Sequence, residues 1–131
     1  TLFYGILAPV SGGFTFVCAG HPFPLLRRAG GPIEELGTGT LPLGLRRDID
    51  PKAQSVVLED GDLLVLFTDG LPESVSGPDG DAFGFQKIKQ LLATVGSPSK
   101  VHDRILMAFD QHIGHEPLTD DLTLVVISRA A

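Results

Sequence analysis

Two acidic positions stand out because of what surrounds them. Asp69 follows Leu63-Leu64-Val65-Leu66-Phe67, a run with no polar alternation, and sits in Phe67-Thr68-Asp69-Gly70. Asp120 and Asp121 stand immediately before Leu122 to Ile127, the other long apolar run. If these runs are neighbouring antiparallel strands, the end of one lies beside the start of the other. Carboxylates distant in sequence then converge at one rim of a sheet. Side chains of like charge repel unless a cation sits between them, so the pattern predicts a bound hard metal or a raised pKa. Oxygen-only ligation favours Mg²⁺ or Mn²⁺ over Zn²⁺. The plainer alternative is a common Asp-Gly turn after one strand and a solvated Asp-Asp edge before another.

Other candidate groups carry less. Cys18 and His21 are three apart on a strand-like segment, which places them on opposite faces and argues against a Cys–His nucleophilic pair. His112, His115 and Glu116 lie at a helix end, where zinc would need further ligands at matching spacing; solvent-exposed histidines are expected there. Asp79-Gly80-Asp81 begins like a calcium loop, but no Glu follows at the required interval, so it reads as plain loop.

The elements that must position the acidic residues follow from periodicity and turn chemistry. Leu2 to Ala8 and Phe14 to Ala19 read as strands joined by the turn Pro9-Val10-Ser11-Gly12-Gly13. Short strands are expected at Pro24 to Arg28, Ile33 to Leu36 and Gln54 to Leu58, with Gly37 to Gly44 as loop. Asp62 to Thr68 reads as a strand buried on both faces. Phe85, Ile88, Leu91, Leu92 and Val95 recur at helical spacing. Ser99 is expected to cap a second helix carrying Val101, Ile105, Leu106, Phe109 and Ile113, closed by Gly114. Leu122 to Ile127 returns as a last strand, expected to dock centrally so that both its faces are covered. The order predicts an α+β fold, with helices packed on a mostly antiparallel sheet.

Four segments in order give the sequence a family resemblance. They are Cys18-Ala19-Gly20-His21-Pro22 with Pro24-Leu25-Leu26, Leu41-Pro42-Leu43-Gly44-Leu45, Asp60-Gly61-Asp62-Leu63-Leu64 running into Phe67-Thr68-Asp69-Gly70-Leu71, and Asp120-Asp121-Leu122-Thr123-Leu124-Val125-Val126. Together they resemble the C-terminal part of the catalytic domain of PPM/PP2C-type serine/threonine phosphatases, in the sporulation stage II E (RsbU-like) branch. The resemblance implies a partial α-β-β-α sandwich of mostly antiparallel sheets, with two C-terminal helices before the last strand. It implies metal-dependent hydrolysis of phosphoserine or phosphothreonine on a protein, with two Mn²⁺ or Mg²⁺ ions in the complete domain. Asp69 and Asp120 map onto metal ligands, and Asp121 is expected behind them or as a strand cap. No catalytic side chain beyond a metal-activated water is implied, apart from His21. That histidine either hydrogen-bonds phosphate or water at the rim, or simply fixes a turn. Residues 72–84 fall where the family is variable and are expected to be a surface loop.

One family motif is missing. An Asp-Val-x-Gly-His-Gly pattern, which supplies a bridging aspartate, does not occur in the sequence. The chain opens inside an apolar strand-like segment, so residues 1–131 read as a single, N-terminally truncated domain with impaired metal binding. Sheet faces left uncovered by the truncation are expected to promote self-association. The alternative is a non-catalytic interaction module on the same fold.

Composition narrows the partners. Ten basic against sixteen acidic residues give a net charge of −6, which disfavours nucleic acid. No apolar run approaches the ~20 residues of a membrane span. A single cysteine suits a reducing compartment, and the expected location is cytoplasmic. The expected partner is a phosphorylated protein, such as a STAS-type anti-anti-sigma factor in a bacterial partner-switching pathway.

Overall fold

The computed structural model describes residues 1–77 and 80–130. Strands β1 (Leu2–Ala8) and β2 (Gly13–Ala19) form the expected hairpin, in register from Leu2 opposite Ala19 to Ala8 opposite Gly13. Strand β5 (Gln54–Val57) pairs with the other edge of β2, giving a sheet of order β1-β2-β5. A second sheet has the order β4-β3-β6-β7, built from β3 (Leu25–Arg27), β4 (Ile33–Glu35), β6 (Leu63–Phe67) and β7 (Leu124–Ser128). Every pairing in both sheets is antiparallel. Helices α1 (Gly70–Glu73), α2 (Phe85–Ala93) and α3 (Pro98–Ile113) complete the chain.

Strand β6 explains the layering, because its alternate side chains serve two cores. Leu64 points between the sheets, where it joins Phe14, Phe16, Leu26, Leu36 and Leu58. Leu63, Val65 and Phe67 point the other way, onto Ile88 and Leu92 of α2 and Val101, Ile105 and Phe109 of α3. The result is sheet, sheet and helices: an α+β fold holding three layers of the α-β-β-α sandwich. The outward face of the first sheet carries Tyr4 and Ile6, each 60% exposed.

Several expectations need correction. Strand β7 lies at an edge of its sheet rather than in the centre, because β6 takes the position between β3 and β7. Leu124 and Val126 still face the helical core and Ile127 the inter-sheet core, while Val125 is left 44% exposed. The cap of α3 is Ser97, not Ser99: its hydroxyl accepts from Lys100 N at 3.4 Å, and Pro98 occupies the first turn, where its missing N–H costs nothing. Helix α2 ends at Ala93, so Val95 lies beyond it and is exposed. The stretch 72–84 is not all surface loop. It contains the end of α1, a bridge between Val75 and Ala82, and a buried Phe83 packed edge-on against Phe109. Asp79, the first residue of the calcium-like triplet, lies outside the described residues.

Two arginines close the end of α2. Arg27 Nη1 donates to Leu92 O and Thr94 O, and Arg104 Nη1 donates to Leu91 O and Thr94 O. The helix has no basic residue in its own last turn, so β3 and α3 supply donors to its orphan carbonyls. Burial, and then the neighbouring charge of Arg104, lower the pKa of Arg27.

The Asp60-Gly61-Asp62 segment has a structural task. The Asp62 side chain is 1% exposed and accepts from Glu59 N, from Ala29 N and from Arg28 Nη1, the last at 2.7 Å. It thereby ties the turn before β6 to the turn after β3. Burial pushes the Asp62 carboxyl up, but these donors outweigh it and the net pKa lies below the ordinary value. Because the folded value is depressed, the stabilisation is complete above the unfolded carboxylate pKa of about 3.9 and drains away as pH falls through the lower folded value. Replacing Asp62 with Ala is expected to cost about 2 kcal/mol or more by orphaning buried donors. Urea denaturation should show that loss at pH 7, with a smaller gap between variant and wild type below pH 3. An equal gap at both values would show that the charge is irrelevant.

Candidate functional site

The ladder around β6 decides where the acidic residues go. Phe67 is opposite Leu124, and the pairing continues with Thr68 N donating to Thr123 O at 3.1 Å. Asp69 therefore leaves β6 at the rim where residues 120–123 enter β7. The Thr68 hydroxyl fastens this junction, donating to Asp121 O at 3.1 Å and accepting from Thr123 N at 2.9 Å. Gly70 follows with no room to spare: a Cβ there would stand 2.4 Å from Asp121 O. The absent side chain lets the start of α1 press against the Asp120–Asp121 backbone.

Asp69 is half-buried and caps α1, with Oδ1 accepting from Gly70 N at 3.1 Å. Asp120 is exposed, and its Oδ1 accepts from Asp121 N at 2.7 Å. Asp121 is also exposed; its backbone carbonyl serves the Thr68 clamp.

The same rim receives the segment around His21. Leu25 is opposite Val65, and β3 runs antiparallel to β6, so the residues just before β3 lie toward the Asp69 end. The His21 ring is 6.1 Å from the Phe3 ring, and Nδ1 lies 2.9 Å from Pro22 O. Gly20, at φ +66°, donates to Thr40 O, and a Cβ on it would meet Pro42 at 2.4 Å. The Leu41–Leu45 loop thus abuts this end of the molecule as well. Cys18 and His21 do not share a strand, since β2 ends at Ala19. The buried thiol donates to the His21 backbone carbonyl at 3.1 Å rather than to its ring. Burial raises the Cys18 pKa, with the hydrogen bond to His21 opposing, so the two do not form a nucleophilic pair.

The remaining histidines lie elsewhere. His112 is half-buried, not solvent-exposed, with its ring edge-on to Phe83 at 5.4 Å, whereas His115 is exposed. Among the described residues, no three His, Cys, Asp or Glu side chains gather closely enough to hold a metal. What the rim offers is two aspartates, hard oxygen donors that suit Mg²⁺ or Mn²⁺ in kind. Mg²⁺ is commonly bound through one or two carboxylates, with water and substrate oxygens completing its shell.

Known proteins share the family and the fold of this chain. The family model described as Stage II sporulation protein E (SpoIIE) matches residues 1–130, and the chain belongs to that family. Protein IcfG of Synechocystis sp. is 25% identical over 98% of this chain, which spans 20% of IcfG. The structure of the RsbU and RsbW domains of Rv1364c from Mycobacterium tuberculosis is 30% identical, with a TM-score of 0.75 over 98% of this chain and 36% of that one. The phosphatase domain of SpoIIE from Bacillus subtilis, presoaked with Mn, superposes with a TM-score of 0.74 at 18% identity, over 99% of this chain and 56% of that one. The fold is that of a PP2C-type phosphatase domain of the SpoIIE/RsbU kind, and the chain spans less than two thirds of each of these relatives.

Thr68 and Gly70 stand out only once the two strands are side by side. Both belong to the Thr-Asp-Gly triplet, whose aspartate alone drew attention in the sequence. Replacing Thr68 with Val preserves shape but leaves Thr123 N without its acceptor and Asp121 O without its donor. Because both bonds are open to water, the expected cost is about 1 kcal/mol, with faster amide exchange at Thr123. Unchanged exchange there would show that the rim holds without the hydroxyl.

Proposed function

We infer that the protein containing this chain is a metal-dependent phosphatase acting on phosphoserine or phosphothreonine of a protein. The single observation that carries this reading is the convergence of Asp69 with Asp120 at the β6–β7 rim, in a chain of the SpoIIE family. Asp69 and Asp120 would hold Mn²⁺ or Mg²⁺, with Asp121 behind them. Such a cation supplies positive charge against phosphoryl oxygens and makes water a competent nucleophile near neutral pH. The chain's own residues set the geometry. Thr68 and Gly70 lock the two carboxylate-bearing segments together, and the cap on α1 orients Asp69. His21 stands at the same rim as a group able to hydrogen-bond a phosphoryl oxygen.

Relatives of the RsbU and SpoIIE kind favour a phosphorylated protein in a partner-switching pathway as substrate, such as a STAS-type anti-anti-sigma factor, and hence a cytoplasmic site of action. No helix among the described residues is long and apolar enough to cross a membrane. A second reading, a non-catalytic interaction module, is favoured by the lack of any group of three metal-ligating side chains among the described residues.

Hydrolysis of p-nitrophenyl phosphate with millimolar Mn²⁺ separates the two. The full-length protein is expected to turn it over, and Asp69→Asn to lower the rate by at least 100-fold, about 2.7 kcal/mol. Chelation of the metal is expected to abolish turnover. Activity that survives both treatments would refute the metal-dependent reading, and a full-length protein inert with Mn²⁺ would favour the module.

A further inference from the structure

Beside the rim, on the helical side of the second sheet, lies a hollow of about 340 Å³ lined by His21, Phe23, Leu25, Glu35, Phe85 and Lys89. Its walls come from three places. Leu25 opens β3 and is 1% exposed; Phe85 opens α2 and is 43% exposed. Phe23 is held in place by Gly37, where a Cβ would stand 2.4 Å from its ring. Glu35 of β4 and Lys89 of α2 pair with each other across the hollow, leaving no net charge from that pair.

The hollow and the candidate site are neighbours in the fold. His21 belongs to both, and the Phe85 ring lies 6.0 Å from that of Phe67, two residues before Asp69. Pro22, Phe23, Leu25 and Phe85 supply most of the lining surface and His21, Gln86 and the paired Glu35 and Lys89 the rest, so a polar side chain set against the apolar walls would lose water there with little return. An apolar side chain would gain by burial. The volume lies at the small end for ligand sites, suited to one or two side chains rather than a cofactor.

We propose that this hollow receives an apolar side chain, of leucine size, from the phosphorylated segment of the protein substrate. It rests on the phosphatase reading of the rim and adds a specificity element to it. The segment would lie across the rim with its phosphorylated residue at Asp69 and Asp120. A neighbouring residue two or three positions away, roughly 7–10 Å along an extended chain, would then enter between Phe23 and Phe85.

The test uses the full-length protein and two fluorescein-labelled phosphoserine peptides. These differ only in carrying Leu or Ser at the second and third positions on each side of the phosphoserine. The ratio of their kcat/KM values is expected to favour Leu by roughly tenfold. In Phe85→Ser the ratio should fall toward one, and in Phe85→Leu, which keeps an apolar wall, it should be largely retained. Anisotropy binding of the same peptides without phosphate supplies a readout independent of turnover, with the same order expected. If the enzyme is inert toward p-nitrophenyl phosphate, the phosphatase reading fails, and the anisotropy ratio still decides the hollow. A ratio near one in the wild type overturns the proposal. So does a preference for Leu that Phe85→Ser leaves intact. If Phe85→Ser alters only sedimentation of the protein, the hollow binds a second copy and the proposal is likewise overturned.

Discussion

The fold depends on one constraint: a five-residue strand, Leu63–Phe67, must be covered on both faces and paired on both edges. No single layer can do this. Leu64 needs the first sheet, while Leu63, Val65 and Phe67 need the helices. Strands β3 and β7 must flank it, because the buried N–H and C=O groups of a central strand have no access to water. Once these demands are met, the residue leaving the strand and those entering its neighbour have no choice but to meet. The candidate site is the end of the most buried element, and its geometry is inherited from the packing beneath it.

That inheritance separates chemistry from support within one motif. Asp62 and Asp69 stand at opposite ends of the same strand. The first is sealed from solvent and satisfied by backbone and guanidinium donors; the second is half-buried at the rim. Two aspartates in one short stretch thus do different work. Asp62 stabilises the turns feeding β6, and Asp69 is left for the rim.

The elements carried by hydrophobic pattern were legible in the sequence. The unbroken apolar run of β6, the hairpin of β1 and β2, and the apolar spacing of α2 and α3 each announce themselves through periodicity. Convergence of Asp69 with Asp120 was legible too, given that the two runs were antiparallel neighbours. What escaped was set by tertiary context. The edge position of β7 depends on which strand claims the centre, and two apolar runs of similar length do not declare it. Ser97 and Ser99 are both able to cap, and Pro98 between them decides by fitting only inside the first turn. Phe83 looked like a loop residue because its partner, Phe109, lies far along the chain on α3. The roles of Thr68 and Gly70 exist only across the strand pair.

Helix α2 is held by different means at its two ends. Arg27 and Arg104 grip the carbonyls of its last turn, while at its other end Gly84 provides no side-chain cap and Phe85 is partly exposed. That end is instead tied through the residues just before it, with Gly84 N donating to Pro72 O at 2.9 Å and Phe83 buried, and it forms one lip of the hollow over Leu25 of the sheet. A lip tied at its base keeps its position over the sheet, so the shape of the hollow is set by the packing of Phe67, Phe83 and Phe109 beneath it.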